Sequence, residues 1–234
     1  MRYRGLVVLL AVAGALAFAT PAAAQRNAFT LNVGYFGLER LGSRPVNDVL
    51  VRNYDALLFE IRDFDGVTFG GEYLFALNDV IETGVGVNYY RTTVPTVDLD
   101  FVEDDGSEIE ADLKLRVVPT TFTIRFVPLG LDESLQPYFG GGVGIYRWKY
   151  TETGDFVDPS DLSIFTDTYV AEDTDVGGVI LGGLRFALNE QLLLGGEFRY
   201  HIVSGDTGGA SAGFLGRKID LSGFNALFTA TVRF

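Results

Sequence analysis

The sequence predicts an all-β fold, an eight-stranded antiparallel up-and-down β-barrel that spans a membrane, with short turns at one rim and long loops at the other. Three observations predict it. Strand-length segments alternate apolar and polar residues with a period of two. Short and long connections alternate between these segments. After residue 24 no long uncharged apolar run recurs, and only helices or closed barrels satisfy all backbone groups in lipid.

The first 24 residues have the composition of a secretory signal peptide. Arg2 and Arg4 precede an uncharged apolar run, and small residues at 22–24 supply a cleavage site before Gln25. A membrane anchor is the alternative, but the apolar run is short for a spanning helix. We therefore expect an exported domain that comprises residues 25–234.

The composition suits one domain of strands and turns, because the 234 residues include 29 glycines, 19 phenylalanines and 11 tyrosines. The chain has no cysteine, so its stability cannot depend on disulfides. Its formal net charge of −13 would repel phosphates, which argues against a nucleic-acid partner.

Eight segments carry the alternation. Their predicted bounds are 28–36, 67–76, 80–92, 113–127, 135–150, 176–188, 190–203 and 221–234. The apolar face of the first segment comprises Phe29, Leu31, Val33 and Tyr35. That of the second comprises Val67, Phe69, Tyr73 and Phe75, and that of the third comprises Ile81, Val85, Val87 and Tyr89. The fifth is rich in glycine at 140–144. In the last, the even positions from Phe224 to Phe234 are apolar or small, and most odd positions between them are polar.

The fourth segment changes register partway along. Its apolar residues are first odd (Leu113, Leu115, Val117) and then even (Phe122, Ile124, Phe126). A β-bulge near Pro119 would absorb this slip, since proline within strands is tolerated mainly at edges and bulges.

The connections alternate in length. Residues 77–79, 128–134 and 188–190 form short turns, whereas 38–66, 93–112, 151–175 and 204–219 form long loops. This is the arrangement of an outer-membrane barrel with periplasmic turns and external loops, and the even strand number leaves both termini in the periplasm. The third long loop also carries apolar residues, so we expect partial folding there, with a short helix near 158–165.

The final strand, ending on Phe234, resembles the C-terminal strand of bacterial outer-membrane barrels, which in that family carries the assembly signal. The chain as a whole resembles small outer-membrane barrels of the OmpA, OmpX and OmpW type. The resemblance implies an integral outer-membrane protein that contacts membrane lipid and lipopolysaccharide and meets the barrel-assembly machinery through Phe234. We expect a monomer. Function within this group is diverse and does not transfer with the fold.

Charged residues are predicted on the inward face of several strands. They are Glu72, Glu82, Arg125, Arg185, Glu197, Arg199, His201 and Arg233. An eight-stranded barrel is just wide enough for side chains to fill it, so we expect a polar network that plugs the lumen. At least one of Glu72, Glu82 and Glu197 should form a salt bridge with Arg125, Arg185 or Arg233. A narrow ion path is the alternative.

Three functions compete at this point. The first is a structural or surface-interaction role for a plugged barrel. The second is an OmpW-like conduit for small hydrophobic molecules, with an apolar upper lumen and a break in the wall near Pro119. The third and remotest is an outer-membrane lipid hydrolase built on Glu197, His201 and Ser204, whose spacing is poor for a catalytic triad. We therefore expect no enzymatic activity.

An acidic hairpin is predicted in the second long loop. A turn at 104–106 would pair 97 with 113, which places Asp98 opposite Asp112 and Asp100 opposite Glu110. Like charges opposed across a ladder are destabilising, so a positive group should lie nearby. Lys114 and Arg116 are candidates, and so is a Ca²⁺ or Mg²⁺ ion on the carboxylates. No other cofactor is expected.

Overall fold

The computed structural model describes residues 27–103, 105–158 and 160–234. The predicted signal peptide and its cleavage site before Gln25 lie outside the described residues. None of the helices in the described part of the chain has the length and apolar character needed to cross a membrane.

Eight strands form a closed antiparallel ring. They are β1 (Asn27–Leu38), β2 (Gly66–Ala76), β3 (Ile81–Val102), β4 (Glu108–Phe126), β5 (Leu135–Val157), β6 (Ile164–Ala187), β7 (Leu192–Ile202) and, after two short strands, β10 (Gly223–Arg233). β7 pairs with β10, which closes the ring on β1, and the other neighbours follow chain order. This confirms the predicted fold class.

The last loop contains the two short strands, β8 (Ser204–Asp206) and β9 (Lys218–Asp220), which pair only with each other. The first long loop contains the helix α1 (Val49–Tyr54) and 3-10 turns at Leu41–Ser43 and Ile61–Phe64, and a third 3-10 turn spans Gly209–Ala212.

The four central strands extend well beyond the predicted strand bounds: β3 and β4 continue into the hairpin expected in the second long loop, whereas the extension of β5 and β6 was not predicted. β3, β4, β5 and β6 contain 22, 19, 23 and 24 residues, so most of the predicted loops 93–112 and 151–175 is strand. The expected helix near 158–165 is wrong: β5 and β6 stay paired up to Val157 and Ile164. The first part of β6 contains several residues of types that favour strands, namely Ile164, Phe165, Thr166, Thr168, Tyr169, Val170 and Thr174.

Large apolar side chains cover the outside of the ring below these extensions. They include Val33, Phe69, Val87, Phe122, Ile145, Ile180, Phe198 and Phe228, all exposed in the isolated chain. An apolar band of this extent suits contact with lipid rather than water. On β3, β5 and β6 the band ends near Val87, Ile145 and Val176.

The predicted bulge at Pro119 is wrong. The ladder from β4 to β5 runs through Pro119 without a register shift, and odd residues of β4 face inward along its whole length. The pairing with β3 is interrupted at Val118 and Pro119 but resumes in the same register, because Val87 pairs with Thr120 and Tyr90 with Val117. The apolar residues change from one face of β4 to the other because the apolar surroundings of the strand change. Phe122 faces lipid outside the barrel, whereas Leu115 faces an apolar core inside the barrel mouth.

That core is formed by two loops that fold into the mouth, residues 39–65 and 203–222, which we call the mouth cap. Cap and wall residues share one buried apolar cluster. The cap contributes Val49, Leu50, Phe59, Ile61, Phe64, Val203, Phe214, Ile219 and Leu221, and the wall contributes Leu113, Leu115, Val117, Tyr146, Trp148 and Tyr150 among others. The mouth is thereby filled with apolar side chains.

Candidate functional site: the barrel lumen

Below the mouth cap, three carboxylates and three guanidinium groups meet inside the barrel. Strand alternation turns all six inward, and each residue is at most 3% exposed. We call this set the lumen network; it comprises Glu72, Glu82, Arg125, Arg185, Glu197 and Arg199. Its formal charges sum to zero, which is the condition under which buried ions are tolerated.

Arg125 is the centre of the lumen network. Its Nη2 contacts the carboxylate of Glu72 and lies 3.1 Å from Glu197 Oε2, while its Nη1 lies 3.7 Å from Glu82 Oε1. One guanidinium therefore links carboxylates from three different strands across the lumen.

The other two arginines complete the ring of contacts. Arg199 Nη2 lies 2.6 Å from Glu72 Oε2, and its Nε donates to Glu197. Arg185 Nη2 lies 2.8 Å from Glu82 Oε1. Each carboxylate consequently contacts two guanidinium groups. Of the three arginines that were expected to pair with these carboxylates, Arg125 and Arg185 do so.

Tyr138 and Thr123 hold the network from the side. The Tyr138 hydroxyl donates to Glu197 Oε2 at 2.8 Å, and Thr123 donates to Glu72 Oε1 at 3.1 Å. The Tyr138 ring also lies under two guanidinium carbons, 4.7 Å from that of Arg185 and 5.2 Å from that of Arg125. These neutral residues add contacts to the network without changing its charge.

Two predicted members lie elsewhere. Arg233 sits near the turn rim, where its Nη2 donates to Gln136 Oε1 at 2.8 Å. His201 lies above the network, and its two ring nitrogens contact the Tyr146 hydroxyl at 2.8 Å and Asn225 Nδ2 at 2.9 Å. The structure therefore brings together six of the eight predicted lumen residues.

The residues considered for hydrolysis do not assemble. Both nitrogens of His201 are already hydrogen-bonded, and Glu197 is held by arginines. Ser204 lies in β8, paired with Asp220, and its hydroxyl makes no hydrogen bond within the described part of the chain. The arrangement offers no nucleophile beside a base.

The predicted acidic register is also wrong. Val97 pairs with Glu110 and Pro95 with Asp112, and an irregularity between Val97 and Val102 absorbs the extra residues. Asp98 instead accepts hydrogen bonds from the backbone nitrogens of Asp100 and Phe101, at 2.9 and 3.0 Å.

Asp112 contacts Lys114 at 3.1 Å, which supplies one of the expected positive neighbours. Across residues 27–103, 105–158 and 160–234, no group of three or more acidic, histidine or cysteine side chains is placed to hold a metal ion. Asp98, Asp100, Glu110 and Asp112 therefore do not form such a group.

A buried ion pair ties the mouth cap together. Arg44 donates to both oxygens of Asp48, at 3.1 and 3.0 Å, and both side chains are fully buried. Asp48 also caps α1 by accepting from the Leu50 nitrogen at 2.9 Å, and it accepts from the Asp220 nitrogen at 2.5 Å. One carboxylate thus joins the first long loop to the last.

A second polar contact fixes α1 to the wall. Asn53 Nδ2 donates to Glu152 Oε1 at 2.6 Å and to the Tyr150 hydroxyl at 3.1 Å. Glu152 lies on β5 above the apolar band and is 4% exposed, and burial raises the pKa of its carboxyl above the usual range.

Between the cap and the lumen network lies a cavity of about 20 Å³, bordered by His201, Asn225, Tyr146, Pro119 and Leu221 among others. This is about the space that one water molecule needs. This cavity separates the apolar side chains of the mouth from the lumen network below it.

Sequence reasoning missed the mouth cap and the neutral residues of the lumen. Tyr138, Asn225 and Gln136 occupy inward positions of their strands, so extending the alternation argument to uncharged residues would have found them. Asp48 and the apolar residues around it lie in a loop without periodicity. Asp48, which directly precedes a short apolar run, is a typical residue at the start of a helix and was the local signal for this part of the mouth cap.

Comparisons with known proteins agree with this architecture. The family model described as "Outer membrane protein beta-barrel domain" matches residues 8–229. A search of curated proteins found no match.

Several solved structures are similar. OprG from Pseudomonas aeruginosa is 14% identical, with a TM-score of 0.52, covering 89% of this chain and 96% of that chain. The N-terminal barrel domain of OprF from the same organism is 10% identical with a TM-score of 0.44, covering 90% and 98%. E. coli outer membrane protein W is 16% identical with a TM-score of 0.40, covering 89% and 98%. Given the family match over most of its length and its closed ring of eight strands, the chain belongs to the outer-membrane β-barrel protein family and resides in the outer membrane.

Proposed function

We propose that this protein is a closed, non-enzymatic barrel with a structural or surface-interaction role. The observation that carries the proposal is the double closure of the lumen. The ionic layer fills the lower barrel with six paired charges, and the mouth cap fills the upper barrel with apolar side chains. In this proposal the two layers together block the passage of water through the described part of the barrel, so the functional surface is the outside of the barrel and its long hairpins.

The partners in this proposal follow from the membrane location. Outer-membrane lipid and lipopolysaccharide surround the apolar band, and the assembly machinery meets the C-terminal strand. Phe234 lies at the turn rim, where its nitrogen donates to the Asn27 carbonyl at 2.9 Å and its ring centroid lies 6.3 Å from that of Tyr73. The protein acts as a monomer, without a nucleic-acid partner or a resident cofactor.

Planar-bilayer recording tests the closure. The purified full chain should give no steady conductance steps in about 1 M salt, a concentration at which the Debye length falls to roughly 3 Å. An Arg125→Ala variant removes the central cation of the lumen network and should raise the frequency of brief openings. Arg62→Ala, at an exposed arginine of the first long loop, is the control and should behave as the wild type. Steady wild-type conductance would contradict the proposal.

Two further assays separate the competing functions. Uptake of a small hydrophobic solute into vesicles should be the same with and without the protein, since a conduit would require an opening in the wall or cap. Esterase and deacylase activity should be absent from both the wild type and His201→Ala. Activity in the wild type that is lost in His201→Ala would restore the hydrolase hypothesis.

A further inference from the structure

A row of basic side chains crosses the outer surface just above the apolar band. Arg91 on β3 is the direct cross-strand partner of Arg116 on β4, and Arg116 is the partner of Lys149 on β5. All three point outward, because their neighbours Tyr90, Leu115 and Trp148 face the core of the mouth. We call these three residues the basic row.

The protein supplies an acidic partner to only one of the three residues of the basic row. Like charges directly opposed on a sheet destabilise it unless an anion lies between them. Lys149 contacts Glu172 at 3.2 Å. Within the described ranges, Arg91 and Arg116 form no ion pair and no side-chain hydrogen bond.

Two more cations flank the basic row. Arg147 lies two residues below Lys149 on the same face and also has no acidic partner among the described residues, while Lys114 contacts Asp112 at 3.1 Å. Five cations and two contacting carboxylates thus share one patch of a chain whose net charge is −13.

The height of the basic row identifies its surroundings. Val87 and Ile145, at the top of the apolar band, lie four residues below Arg91 and Lys149 on their strands. Four residues correspond to about 13 Å along a strand, or about 10 Å in height for a tilt near 40°. This places the basic row outside the hydrocarbon, at the level of the lipid headgroups.

We propose that the basic row binds the phosphate groups of outer-leaflet lipid, the phosphorylated headgroup of lipid A in lipopolysaccharide. Two guanidinium groups side by side match phosphate oxygens in a forked geometry that a single lysine cannot provide. The bound phosphates would offset the repulsion within the row. This inference deepens the proposed function, because it rests on the outer-membrane location, but it does not depend on whether the lumen is closed.

The test uses the full chain in phosphatidylcholine nanodiscs with and without lipid A. The variant is Arg91→Gln/Arg116→Gln/Lys149→Gln. The matched control is Arg52→Gln/Arg62→Gln/Arg217→Gln, which changes the charge equally at exposed loop arginines that have their own carboxylates. Retained lipid A is counted by native mass spectrometry, and thermal stability is followed by the heat-dependent gel shift of the barrel.

We expect the wild type and the control to retain lipid A and to melt at a higher temperature in its presence. The basic-row variant should retain it about a hundredfold more weakly, on the basis of about fivefold per basic residue near an anionic surface, and should lose the thermal shift. Equal retention by the variant and the wild type would overturn the proposal.

Two arms identify the source of the phosphate and guard against misfolding. Millimolar inorganic phosphate in discs without lipid A should not raise the wild-type melting temperature, and an equal rise would show a soluble-anion site instead. If the triple variant does not fold, the wild type decides alone: diphosphoryl lipid A should be retained more strongly than its dephosphorylated form. Equal retention of the two forms would contradict phosphate recognition.

Discussion

Replacement of Arg125 by methionine tests whether the lumen network stabilises the barrel. The substitution leaves three buried carboxylates facing two guanidinium groups, and the Arg125 side chain is only 2% exposed. Breaking a buried ion pair by removing one partner costs about 3–5 kcal/mol, because the remaining charge loses its compensation. We therefore expect Arg125→Met to lower the free energy of unfolding by about 3–5 kcal/mol.

A second variant separates this charge effect from lost packing. Glu72→Gln/Arg125→Met leaves two carboxylates and two guanidinium groups, so the charges balance again. The double variant should be more stable than the sum of the single effects predicts, with a coupling energy of about 0.5–3 kcal/mol. Arg233→Met is the control, since Arg233 contacts Gln136 and no carboxylate of the network. Its cost should stay near that of one lost hydrogen bond, about 1 kcal/mol.

Urea unfolding in detergent micelles gives the measurement. Trp148 is the single tryptophan and is 1% exposed in the core of the mouth, so its fluorescence reports unfolding. The heat-dependent gel shift reports the barrel independently. Additive effects of Glu72→Gln and Arg125→Met, or a loss below about 1 kcal/mol for Arg125→Met, would refute the reasoning.

Three further predictions concern the mouth cap. Asp48→Ala should destabilise the cap by about 3–5 kcal/mol, measured as an earlier urea transition of Trp148 fluorescence, because it leaves a buried arginine unpaired. The raised pKa of Glu152 favours its protonated form in the folded state, so its contribution to stability is present at pH 4 and is lost as pH rises through the folded pKa. Glu152→Gln should therefore remove this loss, and identical pH dependence of urea melts from pH 4 to 8 would contradict the assignment. Gly205→Ala should shift Trp148 emission, because a Cβ there would lie 2.3 Å from the indole ring.

The strands could be predicted from the sequence where the two faces meet different solvents. Around Phe69, Val87 and Phe228 one face meets lipid and the other meets the polar lumen, so the period of two is clear. In the outer part of the β5–β6 hairpin this contrast disappears, since both faces of β6 near Thr168 are exposed to water. The prediction therefore ended β5 and β6 too early and treated their extensions as a loop, whereas the alternation at 97–113 did predict that β3 and β4 continue as a hairpin.

The composition of the lumen network could be predicted, but its pairing could not. Alternation placed Glu72, Arg125 and Glu197 on the inside, which follows from local sequence alone. Which carboxylate meets which arginine depends on the ring closing through β1 and β10, a contact between the two ends of the described chain. The mouth cap was missed for a related reason, because its burial comes from packing against the wall and not from any periodicity of its own.

The change of apolar side in β4 marks the boundary between two kinds of protein interior. Below Pro119 the outside is apolar and the inside is charged, as Phe122 and Arg125 show. Above it the outside carries Arg116 and the inside carries Leu115, which is the arrangement of an ordinary water-soluble protein. β3 and β5 reverse at the same level, from Val87 and Ile145 below to the basic row above. A single chain can make this transition without a bulge because the strand geometry is unchanged and only the solvent on each face is exchanged. The residue pattern that suggested a break in the wall is therefore the mark of the outer membrane surface.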